Sequence, residues 1–138
     1  MTSPMLLDTC AAIWMANQAP ISDQFLSELQ RAEADGDAVF LSPISAWEIG
    51  MLVSRGKVSL PVSPQRWFKQ LLEAPGLMLA DMTCDLLIAS SFLPGAPPRD
   101  PADRIIAATA RENGYRLVTR DRPLLDYAEQ GHIQALAC

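Results

Sequence analysis

The sequence predicts an α/β fold, a three-layer α/β/α arrangement around a central, mostly parallel sheet of about five strands. Short segments that are apolar throughout, such as those at 5–7 and 38–41, alternate with longer segments of helical periodicity. Strands without polar alternation are typical of a sheet whose two faces are both covered by helices. No internal repeat interrupts this alternation.

Capping and turn signals delimit the individual elements. Thr9 is the expected cap of the first helix, and Ser42 caps a later helix that has Pro43 in its first position and ends on Gly56. The Pro-rich loop at 93–101 is expected to be ordered, so residues 1–138 are predicted to form one domain. The expected strands span 5–7, 38–41, 77–80, 116–119 and 133–136, and the expected helices span 10–18, 21–36, 43–56, 64–73, 83–92 and 101–113, with a short helical turn after Asp121.

Composition and charge narrow the class of protein. A chain of 138 residues buries roughly 70% of its unfolded surface without help from disulfides. No apolar run reaches the roughly 20 residues that cross a bilayer, and the N-terminus lacks a signal-peptide pattern, so a cytoplasmic protein without a membrane partner is expected. The net charge of −5 argues against a broad basic surface for nucleic acid. It does not exclude a nuclease whose metal ions supply the local positive charge.

The cysteines and the histidine of the chain do not indicate a disulfide, zinc or histidine-based catalytic site. Three cysteines at wide spacings form neither a disulfide framework nor a zinc site. Cys10 and Cys84 are expected to be small buried residues. His132 lies near the C-terminus without a neighbouring ligand, which leaves a histidine-based catalytic site unsupported.

Four acidic residues are predicted to converge on one edge of the sheet. Asp8 ends the first strand, Glu48 follows the second strand, Asp103 lies in the first turn of a helix, and Asp121 follows the fourth strand. In an open parallel sheet, the ends of strands and the starts of the following helices meet at the edge that binds ligands. Inward carboxylates without a basic partner raise each other's pKa unless a cation is present. Oxygen ligands without cysteine or histidine favour Mg²⁺ or Mn²⁺.

Each of these acids also has a capping interpretation. Asp100 is predicted to be a helix cap only, and Asp103 in the same first turn is explained equally well by the helix dipole. The segment from Ser45 to Glu48 fits a capping box, and Asp121 fits a simple cap. Convergence of all four predicted site residues on one edge favours a site over four separate caps.

Three segments resemble the PIN-domain ribonucleases, with VapC-like toxins of type II toxin–antitoxin systems as the most similar group. The segments are MLLDTCAAIWM, SPISAWEIGMLVSRGKVSLP and PPRDPADRIIAATARENGYRLVTRD, which together cover nearly the whole chain in order. Two family positions differ: Pro98 stands where many relatives carry a histidine, and Ala102 where many carry a bulky aromatic residue.

The resemblance implies both chemistry and partners. It places the metal-binding and catalytic acids at the four positions named above, with Thr9 and Thr119 in supporting roles. It implies hydrolysis of RNA phosphodiester bonds, with transfer RNA among the family's substrates, together with an antitoxin partner and a homodimer. Arg99, Arg104 and Arg120 are candidate contacts to RNA phosphates, with plain surface solvation as the alternative.

Two other functions remain open from the residues alone. A phosphotransfer enzyme with Asp8 as nucleophile would want a second acid two residues later, where Cys10 stands. A non-catalytic binding module would use the acids only as caps. Trp14, Met15, Trp47 and Met51 could line a groove for an amphipathic partner, but core positions are the favoured interpretation.

Overall fold

The computed structural model describes residues 3–138 and shows the predicted three-layer fold. Its sheet has five strands, all parallel, in the order β3-β2-β1-β4-β5. The strands are β1 (Met5–Leu7), β2 (Val39–Leu41), β3 (Leu77–Leu79), β4 (Arg116–Thr119) and β5 (Gln134–Ala137); the helices are α1 (Thr9–Ala16), α2 (Asp23–Asp35), α3 (Pro43–Ser54), α4 (Pro64–Glu73), α5 (Cys84–Ala89), α6 (Pro101–Asn113) and α7 (Arg122–Glu129).

Each face of the sheet has its own hydrophobic core, because successive side chains of a strand point to opposite faces. Met5 and Leu7 of β1 belong to a cluster that includes residues of α1–α4. Leu6 between them belongs to a second cluster with Ile106 of α6 and Tyr127 of α7. The central strand β1 is therefore buried on both sides, which explains its run of apolar residues. The edge strands β3 and β5 are partly exposed, and Met78 of β3 is 53% exposed.

Several element ends differ from the predicted ones by one to three residues; for example, α5 ends at Ala89 and not at 92. Two further predictions need correction. The cap of α1 is Asp8 and not Thr9, since the Asp8 carboxylate accepts the N–H of Ala11 and Thr9 is already the first helical residue. The short turn expected after Asp121 is a helix of eight residues, α7. Leu124 and Tyr127 of α7 are fully buried, and this apolar pair at helical spacing holds the longer helix against the sheet.

Some burial predictions are also wrong. Cys10 and Cys84 are exposed, whereas Cys138 is buried. Trp14 and Met15 pack against the core as expected. Trp47 is 54% exposed, because it lies on the outer side of α3 while Ile49 on the opposite side is buried. Across residues 3–138, every helix falls short of the length and apolarity that a bilayer crossing requires.

Candidate active site

The sheet has a ligand-binding edge at the point where β1 and β4 end side by side. From β1 the chain builds β2 and β3 on one side, and β4 and β5 lie on the other, so the strand order reverses between β1 and β4. Ligands of open α/β proteins bind outside the strand ends at such a reversal. The end of the sheet at which Asp8 and Asp121 follow these two strands is called the carboxyl edge below.

Asp8 is held in a fixed orientation at the end of β1. Its Oδ1 accepts the backbone N–H of Ala11 at 2.7 Å, and its Oδ2 accepts the hydroxyl of Thr119. The residue is only 6% exposed. A carboxylate with both oxygens engaged in this way is poorly placed to act as a covalent nucleophile, which argues against the phosphotransfer alternative.

Glu48 lies one turn after the start of α3 and faces α1. Its Oε1 accepts the hydroxyl of Thr9 at 2.5 Å, and the Thr9 and Ser45 hydroxyl oxygens lie 2.9 Å apart. The helix is capped by Ser42, whose side chain accepts the N–H of Ile44. The capping-box interpretation of Ser45 and Glu48 is therefore wrong, and the Glu48 carboxylate reaches across to another helix instead of back to its own first turn.

The start of α6 contributes two carboxylates. Asp100 is the N-cap and accepts the N–H of Asp103 at 3.0 Å, as predicted. Asp100 also joins a cluster of carboxylates, because one carboxylate oxygen from each of Glu48, Asp100 and Asp103 lies within 4.8 Å of the others. Sequence reasoning missed this second role. The spacing of the two acids in RDPAD was the available signal, but capping alone already explained it.

Asp121 caps α7 beside the end of β4. Its side chain accepts the N–H of Leu124 at 3.3 Å, and its own N–H donates to the Thr119 hydroxyl at 3.0 Å. Thr119 is fully buried and so connects the backbone of Asp121 to the carboxylate of Asp8. The capping prediction for Asp121 is confirmed, and the supporting position of Thr119 has a geometric basis.

The carboxylates of Asp8, Glu48, Asp100, Asp103 and Asp121 are close enough to repel one another, and none of them forms an ion pair among the described residues. Within residues 3–138, no lysine or arginine nitrogen lies within 4.0 Å of any of them. Burial, followed by repulsion from Asp121 and Asp100, raises the pKa of Asp103 to about 7. Burial also raises the pKa of Asp8 and of Glu48, against the lowering effect of hydrogen bonds from Thr119 and Thr9 respectively.

This donor set fits a divalent cation. Crowded carboxylates raise each other's pKa until an opposite charge compensates. Arg120 lowers the pKa of Asp8 from a distance, but within residues 3–138 no basic side chain forms an ion pair with these acids. Carboxylate oxygens alone, without sulfur or imidazole, match the ligand preference of Mg²⁺ and Mn²⁺. Glu48, Asp100 and Asp103 are the residues that could share one ion.

Two of the three arginines expected near RNA phosphates hold the protein's own backbone. Arg104 donates to the carbonyl oxygens of Ser90, Ser91 and Pro98. Arg120 donates to the backbone oxygens of Pro20 and Cys138, and its guanidinium carbon lies 3.9 Å from the centre of the Trp14 ring. Arg99 is exposed at the start of α6. Contact of these residues with RNA stays a prediction.

Comparison with known proteins identifies the family. The PIN domain family matches residues 5–130. Ribonuclease VapC22 of Mycobacterium tuberculosis is 32% identical over 120 residues, which are 87% of this chain and 88% of that protein. The crystal structure of VapBC2 from Rickettsia felis bound to promoter DNA aligns with a TM-score of 0.70 and 17% identity over 96% of this chain and 97% of that one. FitAcB from Neisseria gonorrhoeae aligns with a TM-score of 0.56 and 19% identity over 96% of each chain.

The chain therefore belongs to the PIN-domain family, whose nucleases generally depend on divalent metal ions. The resemblance to VapC-like ribonucleases, predicted from three sequence segments, is confirmed. The two structural matches share the fold at low sequence identity, and they agree with the predicted layers and the parallel sheet.

Proposed function

We propose that this chain is a Mg²⁺- or Mn²⁺-dependent endoribonuclease, the toxin of a type II toxin–antitoxin system. The observation that carries the proposal is the carboxyl edge, where Glu48, Asp100 and Asp103 present oxygens within 4.8 Å of one another and no arginine or lysine of the described chain compensates them. Family membership supplies the reaction class, and the relative Ribonuclease VapC22 is consistent with RNA as the substrate.

The residues of the chain have distinct roles in this proposal. Glu48, Asp103 and Asp100 hold the ion, and Asp8 and Asp121 complete the negative site from the adjoining strand ends. Thr119 fixes the orientation of Asp8 through its hydroxyl. A bound divalent cation supplies a water of lowered pKa and neutralises charge on the attacked phosphate.

Substrate and partners extend the proposal. Single-stranded or looped RNA, with transfer RNA as one candidate, would approach the exposed carboxyl edge beside Arg99. An antitoxin is proposed as the partner, since the Rickettsia felis and Neisseria matches are VapBC2 and FitAcB structures. A homodimer is proposed as well, and the exposed apolar side chains Ile88 (61%) and Phe92 (81%) are candidates for its interface. A cytoplasmic location stays a prediction.

The experiment is an RNA cleavage assay with the purified chain. Cleavage is expected with Mg²⁺ or Mn²⁺ and is expected to stop with a chelator. Asp8→Asn and Asp103→Asn should each reduce the rate by about 100-fold or more, because each removes a charge from the metal site itself. Asp81→Asn, an exposed acid outside the site, is the matched control and should cleave normally.

Two results would contradict the proposal. One is cleavage by the chain that persists in the chelator, which would show that the reaction does not depend on a divalent ion. The other is full activity in the folded Asp8→Asn and Asp103→Asn variants, which would leave these acids as helix caps and favour the binding-module alternative.

A further inference from the structure

Ser45 carries a buried hydroxyl for which the proposed mechanism has no use so far. The residue lies in the first turn of α3 and is fully buried. Among the described residues, its hydroxyl has one hydrogen-bonding neighbour, the hydroxyl of Thr9 at 2.9 Å. Buried polar groups in proteins are normally hydrogen-bonded. A single partner therefore indicates the interaction for which the buried hydroxyl is needed.

We propose that Ser45 is a positioning residue for Glu48, acting through the hydroxyl of Thr9. The juxtaposition of Ser45, Thr9 and Glu48 makes a chain of two hydrogen bonds that ends on a carboxylate of the metal site. The inference rests on the proposed function, since it concerns how the metal-binding geometry is maintained.

Counting hydrogens fixes the direction of this chain. Each hydroxyl has one hydrogen to donate, and an ionised carboxylate only accepts. The 2.5 Å separation between Thr9 Oγ1 and Glu48 Oε1 therefore uses the single hydrogen of Thr9. The contact between Thr9 and Ser45 can then form only when Ser45 is the donor.

The chain connects two helices at the point where the site is assembled. Thr9 is the first residue of α1 and follows Asp8 directly, whereas Ser45 and Glu48 lie one turn apart on α3. Ser45 thus holds Thr9 in the rotamer that reaches Glu48. The hydrogen bond from Thr9 occupies Oε1 of Glu48. Its other carboxylate oxygen, Oε2, accepts no hydrogen bond from the described residues and stays available to a cation.

A group that orients a metal ligand without touching the metal affects the metal affinity indirectly. Loss of such an outer hydrogen bond typically weakens metal binding or activity by about 10- to 100-fold. We expect Ser45→Ala to raise the dissociation constant for Mn²⁺ by roughly tenfold, at the lower end of this range because it acts through one intermediate residue.

The test is a titration of the full chain with Mn²⁺, followed by the electron paramagnetic resonance signal of the free ion. Ser45→Ala and the nearly isosteric Ser45→Cys, whose thiol is a weak donor, should both weaken binding. Ser45→Cys leaves no cavity and so keeps the test available if Ser45→Ala folds poorly. The matched control is Ser90→Ala, which removes another buried serine hydroxyl, one that donates to the Leu87 carbonyl, and should bind Mn²⁺ normally.

A double-mutant cycle separates positioning from general packing. Thr9→Val removes the intermediate hydroxyl, so Ser45→Ala should have no further effect on Mn²⁺ affinity in that background. Normal affinity in both Ser45 variants, or additive effects of Ser45→Ala and Thr9→Val, would overturn the inference while the proposed function stands. Absence of saturable Mn²⁺ binding to the wild-type chain would overturn both.

Discussion

At the amino end of the sheet acidic side chains pair with arginines, whereas at the carboxyl edge they lie next to one another. Arg31 forms ion pairs with Glu28 at 2.7 Å, Asp35 at 3.1 Å and Asp37 at 3.2 Å. Arg116, the first residue of β4, adds a contact to Glu28 at 3.3 Å. Hydrogen bonds from Arg31 and Arg116 hold the pKa of Glu28 below its usual range.

The carboxyl edge shows the opposite electrostatics in the same molecule. Burial and neighbouring acids raise the pKa of Asp103 to about 7, and burial raises that of Glu48 and Asp8. The difference teaches that acids at the amino end of the sheet are paired with arginines, whereas the acids at the carboxyl edge have no ion-pair partner among the described residues. Repulsion between unpaired acids destabilises the fold locally, and such destabilisation is common at functional sites, as the proposed function requires.

The largest expected effect is stabilisation of the carboxyl edge by metal. Mn²⁺ at about 100 times its dissociation constant should add about 2.7 kcal/mol to the free energy of unfolding, or roughly 10 °C in Tm. Differential scanning fluorimetry measures the shift. Asp103→Asn should lose most of it, whereas Glu28→Gln at the amino end should keep it. Equal shifts in the two variants would show that the ion binds elsewhere.

Without metal, Asp103→Asn should make the protein more stable at pH 8. The substitution removes a half-buried charge that is repelled by Asp121 and Asp100. We expect a gain of roughly 1–2 kcal/mol in the free energy of unfolding, after allowance for solvent screening of this partly exposed group. Chemical denaturation in the presence of a chelator is the measurement. A loss of stability would mean that the helix-dipole benefit of this first-turn acid outweighs the repulsion.

The difference in the free energy of unfolding between wild type and Asp103→Asn should depend on pH. Between the ordinary pKa of 3.8 and about 7, the folded protein keeps a proton on Asp103 that the unfolded chain has lost. The wild-type free energy of unfolding therefore falls, relative to the variant, as pH rises through this window. Metal-free denaturation curves at pH 5 and pH 8 test this, and a gap that does not change with pH would contradict the raised pKa.

The smallest effect is expected at the amino end. Glu28→Gln should cost about 0.5–1 kcal/mol at neutral pH, because it weakens a partly exposed pair of ion contacts. The pKa of Glu28 is lowered in the folded state, so this contribution is present above its ordinary pKa of 4.5 and is lost as the pH falls. Denaturation curves of wild type and variant should converge in acid. A cost that persists there would show that packing, not charge, is responsible.

The convergence of acidic residues on one edge of the sheet could be predicted from the sequence because it follows from topology. Asp8 and Asp121 come directly after parallel strands. The carboxyl ends of parallel strands lie at the same edge of a sheet, independently of side-chain orientation. The start of α6 and the first half of α3 reach the same edge for the same reason. Helix and strand positions in this chain were visible from apolar periodicity together with Ser, Asp and Pro capping signals.

Side-chain orientation was less predictable, because one residue can satisfy two requirements. Asp100 caps α6 and also joins the carboxylate cluster, and sequence reasoning stopped at the cap. Glu48 fitted a capping box with Ser45, but Ser42 one turn earlier already caps the helix. The exposure of Trp47 and Cys10 depends on which side of a short helix faces the sheet, and helices α1 and α3 are apolar on most sides.

The most direct test of the account is a crystal structure of the chain grown or soaked in Mn²⁺, with anomalous diffraction used to locate the ion. The account predicts an anomalous peak at the carboxyl edge, about 2–2.5 Å from carboxylate oxygens of Glu48 and Asp103. A crystal at saturating Mn²⁺ with no peak there, and with each of these carboxylates hydrogen-bonded only within its own helix, would contradict it.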